Sequence, residues 1–141
     1  TIVAIASEVK AICDLVRLQQ YLPYVSAQLD ASAAADWEIA TIVIDIRSNY
    51  FSVFESLSHN LGKLDSPQAA KIVSFYCYCK SAIDSAYPDG VMIENEDRDL
   101  AVGNLRILKK LLDDLLRLGD EIIQLPNTSL TKVLERDPHD E

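Results

Sequence analysis

The chain has 141 residues, of which 49% are hydrophobic and 25% charged, a composition typical of one globular domain. Its 22 acidic residues exceed its 13 lysines and arginines, and the formal net charge of −9 repels phosphate backbones and anionic lipid surfaces. We therefore expect no nucleic-acid partner, and contact with a membrane only through a segment upstream of Thr1.

The first predicted helix begins at Ile2, where apolar residues recur three and four positions apart. A second apolar seam, from Leu15 to Leu29, follows another face, so we expect neighbours on two sides or an interface. Pro23 lacks an amide hydrogen and crowds the preceding turn, which predicts a kink or break near Tyr21 and Leu22. The first seam is a candidate interaction stripe and consists of Ile2, Ile5, Val9, Ile12 and Val16.

Residues 39–61 allow two interpretations at their start. The β-branched run 41–46 partly alternates with polar residues, as in a strand, whereas apolar residues from Ile39 to Leu61 keep a helical spacing over more than six turns. We favour a helix, because a lone strand has no partner elsewhere in the chain. Gly62 is expected to end this helix in the left-handed conformation.

Two further helices follow. Asp65, Ser66, Pro67 and Gln68 combine a capping side chain with proline in the first turn, which predicts a helix start. The last helix is predicted over 94–125 with Pro126 as its stop, and half of its circumference is apolar. The predicted fold is an all-α antiparallel bundle of about four helices, with one domain at 1–125 and a short acidic tail at 126–141.

No catalytic or metal site is predicted. Glu55 and His59 are the nearest approach to a metal-binding pair, but the other histidine lies in the tail. The odd number of cysteines and the single residue between Cys77 and Cys79 predict free thiols in a reducing compartment. We expect a protein that is not an enzyme and has no cofactor.

Six aromatic residues lie in two short segments, 50–54 and 75–78. They favour packing in the core, with an apolar ligand pocket between helices as the alternative. The residues that would line such a pocket are Tyr50, Phe54, Phe75 and Tyr76.

Several short segments resemble a group of small bacterial proteins of unknown function. The matching segments are 7–12, Tyr21, Phe54, Leu57, 61–64 and 71–76, of which the Leu61-Gly62-Lys63-Leu64 turn and the Phe75-Tyr76 pair are the most specific. The resemblance implies a single N-terminal membrane helix upstream of Thr1 and an all-α soluble domain. It supplies no activity and no catalytic residues.

These observations lead to two functional hypotheses. The first is a non-enzymatic interaction or scaffold domain that binds a protein partner or self-associates, because an apolar stripe beyond the needs of a core marks an interface. Such a domain would lie in the cytoplasm, tethered to the inner face of the cell membrane. The alternative is a ligand-sensing bundle that binds a small apolar molecule.

Overall fold

The computed structural model describes residues 2–38, 42, 44, 46, 48–86 and 98–135. Within these ranges the chain forms five α-helices and two 3₁₀ segments, and no described residue lies in a β-strand. The predicted all-α bundle is therefore confirmed. In chain order, the α-helices are α1 (Ile2–Leu18), α2 (Tyr21–Ala31), α3 (Ser52–Leu57), α4 (Ser66–Ser85) and α5 (Arg98–Glu135).

The predicted break near Pro23 is confirmed. Helix α1 ends at Leu18, and Gln20 takes a left-handed conformation with a φ of 57° before α2 begins at Tyr21. Pro23 thus lies in the first turn of α2. Backbone amides in a first turn have no acceptor within the helix, so the missing N–H of proline costs no helical hydrogen bond there. The strained backbone at Gln20 turns the chain and keeps the proline ring away from a continuing helix.

Helix α5 is the centre of the bundle and packs against α4, α1 and α2. Its neighbours run antiparallel to it. Arg17 pairs with Asp120, whereas Arg98 at the start of α5 donates to the carbonyl groups of Ser32 and Ala34 just beyond α2. Helix α4 also packs on α5, where Lys71 pairs with Glu121 at 3.6 Å.

The stop predicted at Pro126 is wrong, because α5 continues through this proline to Glu135. Proline removes one hydrogen bond to the carbonyl group four residues earlier, which is Ile122 here, and a long helix tolerates that loss when its apolar face stays packed. Ile122 and Leu125 are both buried directly before the proline. The predicted start at Glu94 lies outside the described residues.

The continuous helix predicted from Ile39 to Leu61 is also wrong in part. Ile42, Ile44 and Ile46 are not helical, yet all three are buried. Residues two apart share one side in extended backbone but point about 200° apart around a helix, so this burial pattern is that of extended chain. The other residues of the 39–47 segment lie outside the described part of the chain.

Helical structure resumes after this segment as two 3₁₀ pieces around α3, Ser48–Phe51 and Ser58–Lys63. Gly62 is part of the second piece and has no positive φ, so the predicted left-handed stop is wrong. The piece ends instead with the Leu64 amide, which donates to the Leu61 carbonyl oxygen. Helix α4 then begins as predicted, with the Asp65 carboxylate accepting a hydrogen bond from the Gln68 amide at 2.9 Å.

None of the helices in the described ranges is long and apolar enough to cross a bilayer.

Candidate functional site

The candidate interaction stripe lies inside the bundle. Ile5, Val9, Ile12 and Val16 are all buried in the core, and Ile2 packs against it while partly exposed. Because α5 and its neighbours already cover these side chains, the stripe is not a free surface in the folded chain. Four of its five residues are core within one chain, and an interface along the stripe stays a prediction.

Most of the aromatic residues proposed as core, or alternatively as a pocket, pack against one another. Tyr76 is the centre of this cluster: Phe54 stacks on its ring at 4.0 Å between centroids, and Phe75 and Phe51 meet it edge-on at 5.3 and 5.6 Å. Stacked and edge-on arrangements are the favoured geometries for aromatic rings. Three of the four predicted residues therefore come together as core. Tyr50, the fourth, is 40% exposed and faces elsewhere.

Tyr50 lies instead at the edge of an open groove between α1 and the segment that contains α3. The groove has a volume of about 640 Å³, within the range of small-molecule sites. Its floor and walls consist of Ala4, Ser7, Glu8, Ala11, Ile12, Leu15, Tyr50, Ser52 and Val53.

The groove exists because the facing side of α1 carries small residues. Ala4, Ser7 and Ala11 follow one another at three- and four-residue intervals, so they share one side of the helix. Methyl and hydroxymethyl groups leave space where larger side chains would fill the gap to α3. This periodicity of small residues is present in the sequence, and the apolar stripe follows a different side of the same helix, meeting the groove at Ile12.

Glu8 joins the groove to the aromatic cluster. Its carboxylate accepts hydrogen bonds from the backbone amides of Val53 at 2.7 Å and Phe54 at 3.1 Å, and from the Tyr76 hydroxyl at 2.7 Å. The two amides belong to the first turn of α3 and have no helical acceptor of their own. Glu8 therefore caps α3 from another helix and holds the wall of the groove in place.

The Tyr76 phenol keeps its proton in this arrangement. Burial raises its pKa well above the ordinary range, and the hydrogen bond to Glu8 raises it further. Tyr76 is consequently a permanent donor to Glu8 at physiological pH. A phenol held in this state stabilises the carboxylate and does not act as a base.

The three cysteines are free thiols, as predicted. Cys77 is exposed while Cys79 is buried, so the two lie on different sides of α4. Burial raises the pKa of the Cys13 thiol to about 11 and that of Cys79 still higher. Both buried thiols are protonated at neutral pH, and a thiol rather than a thiolate is a poor nucleophile and metal ligand.

Glu55 and His59 are both exposed, Glu55 in α3 and His59 in the following 3₁₀ segment. In the ranges described, no group of three or more His, Cys, Asp or Glu side chains is placed to hold a metal ion.

Comparison with protein-family models, with curated proteins and with solved structures finds no significant match to this chain.

Proposed function

We propose that this chain is a non-enzymatic binding domain that takes a small, largely apolar molecule in the groove between α1 and α3. The observation that carries the proposal is the groove itself, which combines a volume of about 640 Å³ with a mostly aliphatic lining and a few polar groups. Sites for small molecules are of this kind, because apolar walls provide affinity and a few polar atoms provide orientation.

The alternative of a protein-interaction domain has less support. It was suggested by the apolar stripe of α1, and most residues of that stripe are buried in the core of the same chain. The large apolar side chains that are well exposed lie on several different elements, from Val3 in α1 to Ile107 in α5. Exposed apolar residues on separate elements are ordinary on protein surfaces and do not by themselves indicate a docking patch.

The test is a thermal-shift screen of apolar compounds, followed by a matched pair of variants. A ligand that binds only the folded state raises the melting temperature. Ala11→Trp fills the groove from an exposed helical position, and Lys10→Trp adds the same side chain to the adjacent position, which does not line the groove. We expect at least a tenfold loss of affinity in Ala11→Trp and little change in Lys10→Trp.

Two results would contradict the proposal. One is a screen in which no apolar compound raises the melting temperature of the native chain. The other is a ligand whose affinity is equal in the two tryptophan variants, since this ligand would bind outside the groove.

A further inference from the structure

The geometry points to a protonated organic amine as the ligand of the groove, held by its apolar body against α1 and by its ammonium group at Glu8. This inference rests on the proposed function and adds the chemical class of the molecule. It depends on how Glu8 is placed, which charges surround it, and how many hydrogen bonds it already accepts.

Glu8 is the one formally charged side chain among the described residues that line the groove. It is partly exposed, and it lines the cavity while its oxygens also face α3 and Tyr76. A ligand lying along the aliphatic wall formed by Ile12, Leu15 and Val53 would therefore have a carboxylate beside it. A cationic group is favoured there, and an anionic group is repelled.

The carboxylate has capacity for such a ligand. An ionised carboxylate offers about four acceptor positions, and its described partners occupy three of them. All three partners are neutral donors, so they orient the charge without neutralising it. The arrangement matches a single additional N–H donor that also carries positive charge, which makes the hydrogen bond a charge-assisted one.

The lysine nearest in sequence does not supply this charge. Lys10 pairs with Asp14 at 2.6 Å on an exposed part of α1. In the portion of the chain that the structure describes, no lysine or arginine forms an ion pair with Glu8. As far as the described residues go, the negative charge of the groove has no cationic partner and can attract one in a ligand, and the overall charge of −9 adds long-range attraction for cations.

The experiment compares three compounds that share one apolar body: 2-(2-naphthyl)ethylamine, 2-(2-naphthyl)ethanol and 2-naphthylacetate. Affinities are measured by titration calorimetry with the native chain at pH 7. We expect the amine to bind at least tenfold more tightly than the alcohol, and the alcohol more tightly than the carboxylate. At 0.5 M salt, where the Debye length is only a few ångströms, the advantage of the amine should persist because contact with Glu8 is direct.

Two variants assign the effect to Glu8 and to the groove. Glu8→Gln should abolish the preference for the amine over the alcohol, and Ala11→Trp should weaken all three compounds. Should Glu8→Gln fail to fold, the N,N,N-trimethyl derivative of the amine tests the same contact on the native chain. It keeps the charge but has no N–H, so we expect it to bind at least fivefold more weakly than the amine.

The outcomes separate the two proposals. Equal binding of amine and alcohol, with both lost in Ala11→Trp, would overturn the amine assignment and leave the apolar groove intact. A preference for the amine that disappears at 0.5 M salt would also overturn it, since long-range attraction alone would then explain the result. If neither the amine nor the alcohol binds, and the apolar screen is negative, both proposals fail.

Discussion

Glu8 is the residue on which most of the local structure depends. One carboxylate of α1 caps α3 and accepts a hydrogen bond from the hydroxyl group of Tyr76, whose side chain is almost completely buried. Buried hydroxyl groups without an acceptor cost about 1–3 kcal/mol, and a lost helix cap costs about 1 kcal/mol. The carboxylate of this residue therefore has a structural role of its own, apart from the proposed ligand.

Removing the side chain tests this structural role. We expect Glu8→Ala to lower the free energy of unfolding by about 2–4 kcal/mol, because it leaves the Tyr76 hydroxyl and the α3 amides without their acceptor. Urea denaturation followed by circular dichroism provides the measurement. Glu55→Ala, which removes an exposed carboxylate from α3 itself, is the control and should change stability by less than about 0.5 kcal/mol.

A double-mutant cycle separates the hydrogen bond from general packing. In Glu8→Ala with Tyr76→Phe, the orphaned hydroxyl is removed together with its acceptor, so the combined loss should be smaller than the sum of the two single losses. Strictly additive losses would show that Tyr76 and Glu8 do not depend on each other.

The buried thiols make stability depend on alkaline pH. Burial raises the pKa of Cys13 to about 11, whereas an unfolded thiol ionises near pH 8.5. Between these two values the unfolded state gives up a proton that the folded state retains, so stability is complete below about pH 8.5 and falls as pH rises. The total effect of this one group is about 3 kcal/mol by pH 11.

We expect Cys13→Ala to flatten this alkaline decline by about 1.4 kcal/mol per pH unit between pH 9 and 10.5. Urea denaturation at several pH values measures the slope. The exposed Cys77 supplies the control, and Cys77→Ala should leave the slope unchanged. Parallel declines in the native chain and in Cys13→Ala would show that Cys13 ionises normally in the folded state.

At the scale of helices, the contact between α1, α4 and α5 depends on Gly119. A Cβ atom built at this position would overlap the Sγ atom of Cys13 and lie 3.1 Å from the Cε2 atom of Phe75. The three helices approach one another closely because this residue has no side chain. Gly103 lies on the same helix, but a Cβ atom there would meet no atom within 4 Å.

The two glycines should therefore respond in opposite ways to alanine. Gly103→Ala should stabilise the chain by about 0.5–1 kcal/mol through helix propensity alone. In Gly119→Ala the same gain is outweighed by overpacking of about 1–3 kcal/mol, so we expect a net loss. Thermal denaturation of both variants decides the sign, and a stabilising Gly119→Ala would disprove the close approach.

Removing the clashing atom provides a second test of this contact. In Cys13→Ala with Gly119→Ala the sulfur is absent, and the pair should be more stable than the sum of the single changes predicts. Additive changes would mean that the helices relax apart instead of meeting at this point.

The elements that sequence patterns predicted well were those controlled by local chemistry. Asp65 and Pro67 mark the start of α4 because a side-chain cap and a fixed φ act within one turn. The helix end predicted at Pro126 was wrong because tertiary packing outweighed local chemistry there. Helix α5 continues past this proline, and the residues before it stay buried against other helices. Likewise, the spacing of Ile42 and Ile46 is consistent with both a helix and an extended strand. Over so short a run, only burial in the folded chain distinguishes the two conformations.

The candidate site was harder to predict than the fold. Of the residues assigned to a pocket, only Tyr50 lines the groove. A groove is the space left between two elements, and its position depends on how α3 docks on α1, which Glu8 determines from 45 residues away in the sequence. Sequence periodicity reports which side of a helix is apolar, but not whether the chain itself or a partner covers it.

For the whole molecule, the central question is whether the apolar stripe of α1 is core or interface, and a buried charge distinguishes the two. Val9 is 0% exposed, whereas Val3 on the same helix is 62% exposed. An unpaired charge in the core costs several kcal/mol or more, which is comparable with the total stability of about 5–15 kcal/mol for a domain. We expect Val9→Asp to abolish the cooperative thermal transition in circular dichroism, and Val3→Asp to retain it. If the stripe instead joined two copies of the chain, Val9→Asp would remain folded and light scattering would show only a change from dimer to monomer.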